Sequence, residues 1–199
     1  IEAMDAAEKG NEHEAELLRF LTPMVKRDSA ELAVYLCRES MELMGGMGYI
    51  EESILPKMMR DVMVFPIWEG AGNIMILDML RAAIKSKGLG LVLAEIDACC
   101  QDSSAYARIL KKEAKNLGQQ LSAIRDLPQD ELEFQAKELL LKLTRCYQSA
   151  LLLKESQKDP SGRYILALDW MLRDYTDFDH RRKAAPQRQE IERLIAWKF

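Results

Sequence analysis

Histidine is almost absent from this 199-residue chain, which contains only His13 and His180. A histidine-rich metal site is therefore excluded. Long apolar runs are absent as well, and no stretch approaches the roughly 20 residues that a membrane-spanning helix requires. Convincing alternation of apolar and polar residues, the mark of a half-buried strand, is also missing. These absences predict a protein with neither a membrane span nor a β-sheet.

The four cysteines match neither a zinc framework nor a C-x-x-C redox pair. They lie at Cys37, Cys99, Cys100 and Cys146. Thiols without such spacing are typical of a reduced, cytosolic protein, because structural disulfides are rare in that compartment. We therefore expect no metal site and a cytoplasmic location.

Apolar residues recur every three or four positions, which is the spacing of one face of an α-helix. One such stripe runs from Leu132 to Leu153, and another begins after Ser103-Ser104. Nearer the N-terminus, Leu32, Leu36 and Leu43 follow a candidate N-cap at residues 28–29 (Asp-Ser). Breaks rich in Gly and Pro separate the stripes. The pattern predicts an all-α fold, an antiparallel helical bundle with additional C-terminal helices.

Charge is unevenly distributed along the chain. Residues 1–81 carry a net charge of −7, with 8 Lys and Arg against 15 Asp and Glu, although the whole chain carries only −4. A basic cluster at residues 180–183 is either a solvated face or a nucleic-acid-facing patch. The adjacent Arg60 and Asp61 are interpreted as an ion pair that pins the loop before Glu69.

Two short segments interrupt the helical pattern. The first contains three glycines within residues 45–48, which either cap a helix and form a tight turn or let the backbone pass close to a bulky group. The second contains Glu69, a lone carboxylate among apolar residues. Burial raises the pKa of a carboxylate, so Glu69 could serve as a general base; alternatively it complements the dipole of the following helix. Asn73 is a candidate N-cap of that helix.

Together these segments resemble the acyl-CoA dehydrogenase family. In that family a helix ends in Q-x-x-G-G-x-G, an M-R-D element follows, and an aromatic-Glu-Gly segment opens the next helix. This chain has E-L-M-G-G-M-G at 42–48, M-R-D at 59–61 and W-E-G at 68–70. The order and spacing of the three motifs carry the resemblance.

The resemblance implies α,β-dehydrogenation of an acyl-CoA thioester with FAD. Glu69 would remove the α proton, and a hydride would leave the β carbon for the flavin. The Glu69 backbone N–H would be one donor that polarises the thioester carbonyl and stabilises the developing enolate. Trp68 and Gly70 would line the acyl and thioester site.

Cofactor contacts are implied in the same way. Glu42 and Gly46, with Gly45 in the same segment, would approach the FAD of a neighbouring subunit, and Ala71 and Asn73 would face its nucleotide end. Three positions depart from the family pattern: Glu42 and Asn73 each replace Gln, and Ala71 replaces a hydroxyl residue. An anionic Glu42 is unfavourable beside a pyrophosphate, so we expect it to meet adenine, ribose or a cation.

These departures resemble the AidB-like, adaptive-response branch of the family. The strings E-x-x-G-G-x-G-Y-x-E-E-S-x-L-P from position 42 and I-W-E-G-x-G-N-I-M-x-L-D-x-L-R from position 67 carry that likeness. It implies that residues 1–85 are part of the C-terminal helical domain and carry the flavin and substrate segment. Residues 86–199 would be a C-terminal helical extension.

In this family the flavin also contacts a β domain and a second subunit, and this chain offers no candidate β domain. We therefore expect a homo-oligomer, a dimer or tetramer, and expect the 199 residues alone to be inactive and colourless. The alternative is an AidB-like DNA-binding or assembly module with little dehydrogenase activity. Weak DNA contact would use Arg81, Arg181 and Arg182, although the acidic first 81 residues argue against strong affinity.

Overall fold

The computed structural model describes residues 2–172. Over this range the chain is helical and contains no strand, so the predicted all-α fold is confirmed. The helices are α1 Glu2–Glu8, α2 Glu12–Met44, α3 Gly46–Tyr49, α4 Leu55–Val62, α5 Gly72–Lys85, α6 Gly88–Cys99, α7 Ala105–Ala123, α8 Gln129–Ser156 and α9 Arg163–Met171.

The chain divides into two compact units, Ile1–Leu89 and Gly90–Phe199. The boundary between them falls inside α6. The roles assigned above to residues 1–85 and 86–199 remain predictions, because compactness does not show what the residues of a unit do.

The long helix α2 organises the first unit and packs against α1, α4 and α5. Its N-cap is Asn11, whose Oδ1 accepts hydrogen bonds from the backbone N–H groups of His13 and Glu14 at 3.1 and 3.3 Å. Such a cap satisfies donors that lack a partner in the first turn of a helix. The predicted helix start at Asp28 or Ser29 is wrong, because α2 is already formed and runs through both residues.

The two faces of α2 differ in burial. Its inner face consists of buried apolar side chains, including Leu17, Phe20, Met24, Ala30 and Cys37. Leu32, Leu36 and Leu43 share a face, as their spacing predicts, but they are 50%, 53% and 89% exposed. Helical spacing shows which side chains share one face of a helix, but it does not show whether that face is buried by the rest of the protein.

The second unit is built around α8, which packs against α7 and α9. The stripes predicted for α7 and α8 are buried, as expected, and include Leu110, Ala114, Leu117 and Leu121 in α7 and Leu132, Ala136, Leu139, Leu143, Ala150 and Leu153 in α8. Ser104 caps α7, because its Oγ accepts a hydrogen bond from the Ala107 N–H at 3.0 Å. The start of α7 after Ser103-Ser104 is therefore confirmed.

The cysteines are unpaired and buried. Burial raises the pKa of the Cys100 thiol to about 11 and that of the Cys146 thiol to about 12. Because the thiolate is the reactive form, these two side chains act as small apolar residues near neutral pH.

Leucines at two positions of α8 test the placement of this core. Leu140 is fully buried, and we expect Leu140→Ala to lower the free energy of unfolding by about 2–5 kcal/mol, since a cavity adds to the lost burial. Leu151 in the same helix is 36% exposed, so we expect Leu151→Ala to cost less than about 1.5 kcal/mol. Urea unfolding measures both variants. Equal losses would contradict the assignment of Leu140 to the core.

Candidate functional site

The segment between α4 and α5 is a compact turn. The N–H groups of Ile67 and Trp68 both donate to the Val64 carbonyl at 3.0 Å. Glu69 follows at the end of this turn, two residues before Ala71, the N-cap of α5. The local hydrogen bonds therefore position Glu69 between a tight turn and a helix start.

Lys26 connects this turn to α2. Its Nζ donates to the Phe65 carbonyl at 2.8 Å and to the Gly70 carbonyl at 2.7 Å. Hydrogen bonds from a charged donor are shorter and stronger than neutral ones. The two acceptors lie on either side of Trp68 and Glu69 in the chain, so one ammonium group restrains both ends of that stretch. Sequence analysis missed Lys26, because its acceptors lie far away along the chain.

The backbone of Glu69 is strained. Glu69 has a left-handed backbone, with a φ of 57°. It is the only residue other than glycine with a positive φ in the part of the chain that the structure describes. Gly70 follows with a φ of 109°. A left-handed backbone costs an L-residue with a side chain roughly 1–2 kcal/mol. Such strain persists only where the surrounding structure enforces it, and it clusters at functional sites.

A cleft of about 430 Å³ opens between α2 and the turn. It is lined by Lys26, Ser29, Ala30, Ala33, Val64, Phe65, Trp68 and Glu69. Sites for small molecules are typically clefts of roughly 300–1,000 Å³ with apolar walls and a few polar groups. The mixture of apolar side chains with one ammonium, one hydroxyl and one carboxylate suits a ligand that has an apolar chain and a polar group.

Glu69 lines this cleft but is exposed, which corrects the expectation that its apolar neighbours bury the carboxylate. Those neighbours are themselves open to water, with Ile67 65% and Trp68 69% exposed. Apolar residues that are adjacent in sequence desolvate a carboxylate only when they fold over it.

The start of α5 distinguishes between the alternatives left open for Glu69 and Asn73. The N-cap of α5 is Ala71, without a side-chain hydrogen bond, so Asn73 is not the N-cap. Glu69 precedes the cap and therefore lies outside the first helical turn, where a carboxylate best complements the helix dipole. Ala71 and Asn73 are both exposed.

The glycines that follow α2 have three different surroundings. Gly45 has a left-handed φ of 57° and donates its N–H to the Glu42 carbonyl at 3.0 Å, which ends the helix. Gly48 is buried against α2, where a Cβ would lie 2.5 Å from the Met41 carbonyl oxygen. Gly46 is exposed, and a Cβ there would meet nothing within 4 Å. Capping thus explains Gly45 and close packing explains Gly48, whereas neither explains Gly46.

Arg60 pairs with Glu51 instead of Asp61. Its two terminal nitrogens donate to the two Glu51 carboxylate oxygens at 2.8 and 3.0 Å. The side-chain hydrogen bond from Arg60 lowers the pKa of Glu51. The predicted Arg60–Asp61 pair is wrong, because side chains at adjacent helix positions do not face each other.

Comparisons with known proteins place these features in a family. The family described as acyl-CoA dehydrogenase, C-terminal domain, matches residues 2–84. AidB of Escherichia coli (strain K12) is 38% identical over 117 residues, which are 55% of this chain and 22% of AidB. Acyl-CoA dehydrogenase family member 11 of Caenorhabditis elegans is 28% identical over 161 residues, 75% of this chain and 26% of that protein.

Residues 2–84 belong to the acyl-CoA dehydrogenase C-terminal domain family. The match to AidB supports the AidB-like branch. Among solved structures, C. elegans ACDH-11 in complex with C11-CoA matches with a TM-score of 0.68 and 27% identity, covering 84% of this chain and 31% of that one. The chain thus spans about a quarter of the length of the two relatives, 22% of AidB and 26% of family member 11.

No helix within residues 2–172 is long and apolar enough to cross a membrane. In the same range, no group of three His, Cys, Asp or Glu residues is arranged to hold a metal ion. Arg81 is exposed and pairs with Asp78 at 3.4 Å, whereas Arg181 and Arg182 lie outside the described residues.

Substitution of Glu69 by glycine or alanine tests the strain at the turn. Glycine adopts a left-handed φ without strain, whereas alanine, which has a Cβ, still bears the free-energy cost of the left-handed backbone. We expect Glu69→Gly to be more stable than Glu69→Ala by about 1 kcal/mol. In a regular helix or strand the order is the reverse, since glycine there loses roughly 0.5–1 kcal/mol against alanine. Urea unfolding of both variants decides the order, and a more stable alanine variant would mean that position 69 is not left-handed in solution.

Gly46 and Gly48 predict opposite outcomes for the same change. Gly48→Ala forces a methyl group onto the Met41 carbonyl, and we expect it to lower the free energy of unfolding by about 1–3 kcal/mol. Gly46→Ala places a methyl group in open space and is expected to change that free energy by less than about 0.5 kcal/mol.

If Gly46 faces FAD, Gly46→Ala lowers the flavin content of the full-length protein, as measured by absorbance. Unchanged flavin content would contradict that cofactor contact.

Proposed function

We propose that this chain is the C-terminal helical part of an FAD-dependent acyl-CoA dehydrogenase in which Glu69 removes the α proton of the acyl-CoA thioester. The observation that carries the proposal is the left-handed backbone of Glu69 beside the cleft. Strain of this kind destabilises the fold, so its presence next to a ligand-sized cleft favours a role in function. The W-E-G motif at residues 68–70 supports the same residue independently of the geometry.

The chemistry needs a base near the α carbon and donors near the thioester oxygen. Within the described residues, the Glu69 carboxylate has no hydrogen-bond or ion-pair partner, so its lone pairs are available to accept a proton. Its backbone N–H is assigned as a donor to the thioester carbonyl, where negative charge develops as the proton leaves. FAD, when bound, supplies the acceptor for the hydride from the β carbon.

Apolar walls beside Glu69 suit an acyl chain. Val64, Phe65 and Trp68 line the cleft and are 43%, 51% and 69% exposed. Covering such surface stabilises a complex by roughly 25 cal/mol per Å². Gly70 adjoins the base, and its φ of 109° is a conformation that residues with a side chain rarely adopt. We therefore assign Trp68 and Gly70 to the acyl and thioester site, and the C11-CoA complex of ACDH-11 supports acyl-CoA as the ligand class.

FAD contact is assigned to Glu42, Gly45, Gly46, Ala71 and Asn73. All five residues are exposed. The open space beside Gly46 fits a planar ring system that must come close to the backbone. Because Glu42 is anionic, we assign it to adenine, ribose or a bound cation in preference to the pyrophosphate.

The surface of the first unit supports assembly with further protein. Large exposed apolar side chains are frequent from Val25 to Ile74, whereas the described part of the second unit has Phe134, Leu151 and Trp170. Concentrated apolar surface marks interaction sites. We therefore assign residues 1–85 to a flavin- and substrate-binding domain within a cytoplasmic homo-oligomer, a dimer or tetramer, and residues 86–199 to a C-terminal extension.

DNA binding has no specific observation in its favour. Arg81 is already paired with Asp78, and the net charge of −7 on residues 1–81 opposes contact with phosphate. Contact through Arg181 and Arg182 stays a prediction.

Glu69→Gln in the full-length protein tests the proposed base. The amide keeps the shape of the side chain but accepts a proton poorly, so we expect acyl-CoA to bind while substrate-driven loss of flavin absorbance slows by about 10²–10⁴-fold. Glu8→Gln, at an exposed glutamate at the end of α1, is the control and is expected to react at the wild-type rate. Undiminished flavin reduction in Glu69→Gln would show that another group takes the proton.

A further inference from the structure

Lys26 is a half-buried cation in the middle of α2 that donates to two backbone carbonyls of the turn before α5. The acceptors belong to Phe65 and Gly70, which are 39 and 44 residues further along the chain. The stretch between them contains Trp68 and Glu69. One side chain therefore holds the two ends of the segment that carries the proposed base.

The strained backbone requires such a restraint. A left-handed residue with a side chain relaxes unless surrounding contacts hold it. The carbonyl oxygen of Gly70 belongs to the peptide between Gly70 and Ala71, the second peptide after Glu69, and its hydrogen bond to Lys26 measures 2.7 Å. A short, charge-assisted hydrogen bond at this point limits rotation of the Gly70–Ala71 peptide and, together with the bond to the Phe65 carbonyl, restricts the backbone between them, which includes Glu69.

We infer that Lys26 is a positioning residue for Glu69: it holds the turn so that the Glu69 carboxylate and N–H face the substrate together. This inference rests on the function proposed above. Lys26 acts through the backbone, since no ion pair joins its ammonium to the Glu69 carboxylate within the described residues. The chemistry also depends on orientation, because a displacement of 1 Å can lower a reaction rate by about 10²-fold.

The test compares three variants of the full-length protein. Lys26→Met keeps the unbranched shape and all but the last heavy atom of the side chain, and removes the charge and the donors. Lys26→Arg keeps a charged donor. Lys57→Met removes an exposed lysine of α4 and is the matched control. Two measurements are made on each: amide hydrogen exchange of peptides covering residues 63–71, and the rate of flavin reduction at saturating acyl-CoA.

We expect Lys26→Met to exchange about 10-fold faster in residues 63–71 while residues 74–84 of α5 stay protected, which shows that the unit remains folded. We expect flavin reduction to slow by about 10²-fold with little change in the Kd for acyl-CoA. We expect Lys26→Arg to retain most of the protection of residues 63–71 and most of the rate of flavin reduction. We expect Lys57→Met to change neither the exchange nor the rate.

Two results would overturn the inference while leaving the proposed function intact. Unchanged exchange of residues 63–71 in Lys26→Met would show that Lys26 does not hold the turn. Faster exchange with an unchanged rate of flavin reduction would show that the restraint has no part in positioning the base. A wild-type protein that acyl-CoA does not bleach would instead refute the proposed function, and it would overturn the positioning role with it. In that case the exchange data alone would still report whether Lys26 restrains the turn.

Discussion

One ammonium group hydrogen-bonded to two distant carbonyls constrains the turn that carries Glu69, the proposed base. Because Phe65 and Gly70 lie far from Lys26 in sequence, these hydrogen bonds exist only after α2, α4 and α5 have packed. The left-handed backbone of Glu69 is therefore a product of tertiary structure. Its cost, roughly 1–2 kcal/mol, is offset by packing in the rest of the unit.

Features that depend on residues three or four positions apart could be predicted from the sequence. The stripe from Leu132 to Leu153 and the cap at Ser104 are of this kind, because side-chain direction and capping are local properties of a helix. The motifs at 42–48 and 68–70 could also be located, since they are contiguous. The all-α fold follows from the same local patterns.

Features that depend on distant contacts could not be predicted. The helical spacing of Leu32 and Leu36 does not say that Ala30 and Cys37 occupy the covered face instead. The apolar neighbours of Glu69 suggested burial, yet Ile67 and Trp68 are themselves exposed and leave the carboxylate open to water. The partner of Arg60 and the acceptors of Lys26 are likewise fixed by how the helices meet, which no local pattern encodes.

The left-handed turn also bears on which acid the site can use. Aspartate tolerates this backbone region better than glutamate, because its short side chain bonds to nearby backbone groups. A shorter acid would thus relax the turn, but its carboxylate would end one methylene nearer the main chain. Backbone conformation therefore favours aspartate at position 69, whereas the reach of the carboxylate favours glutamate. If Glu69 is the base, as proposed, the longer acid is present because the distance from the backbone to the reacting carbon outweighs conformational ease.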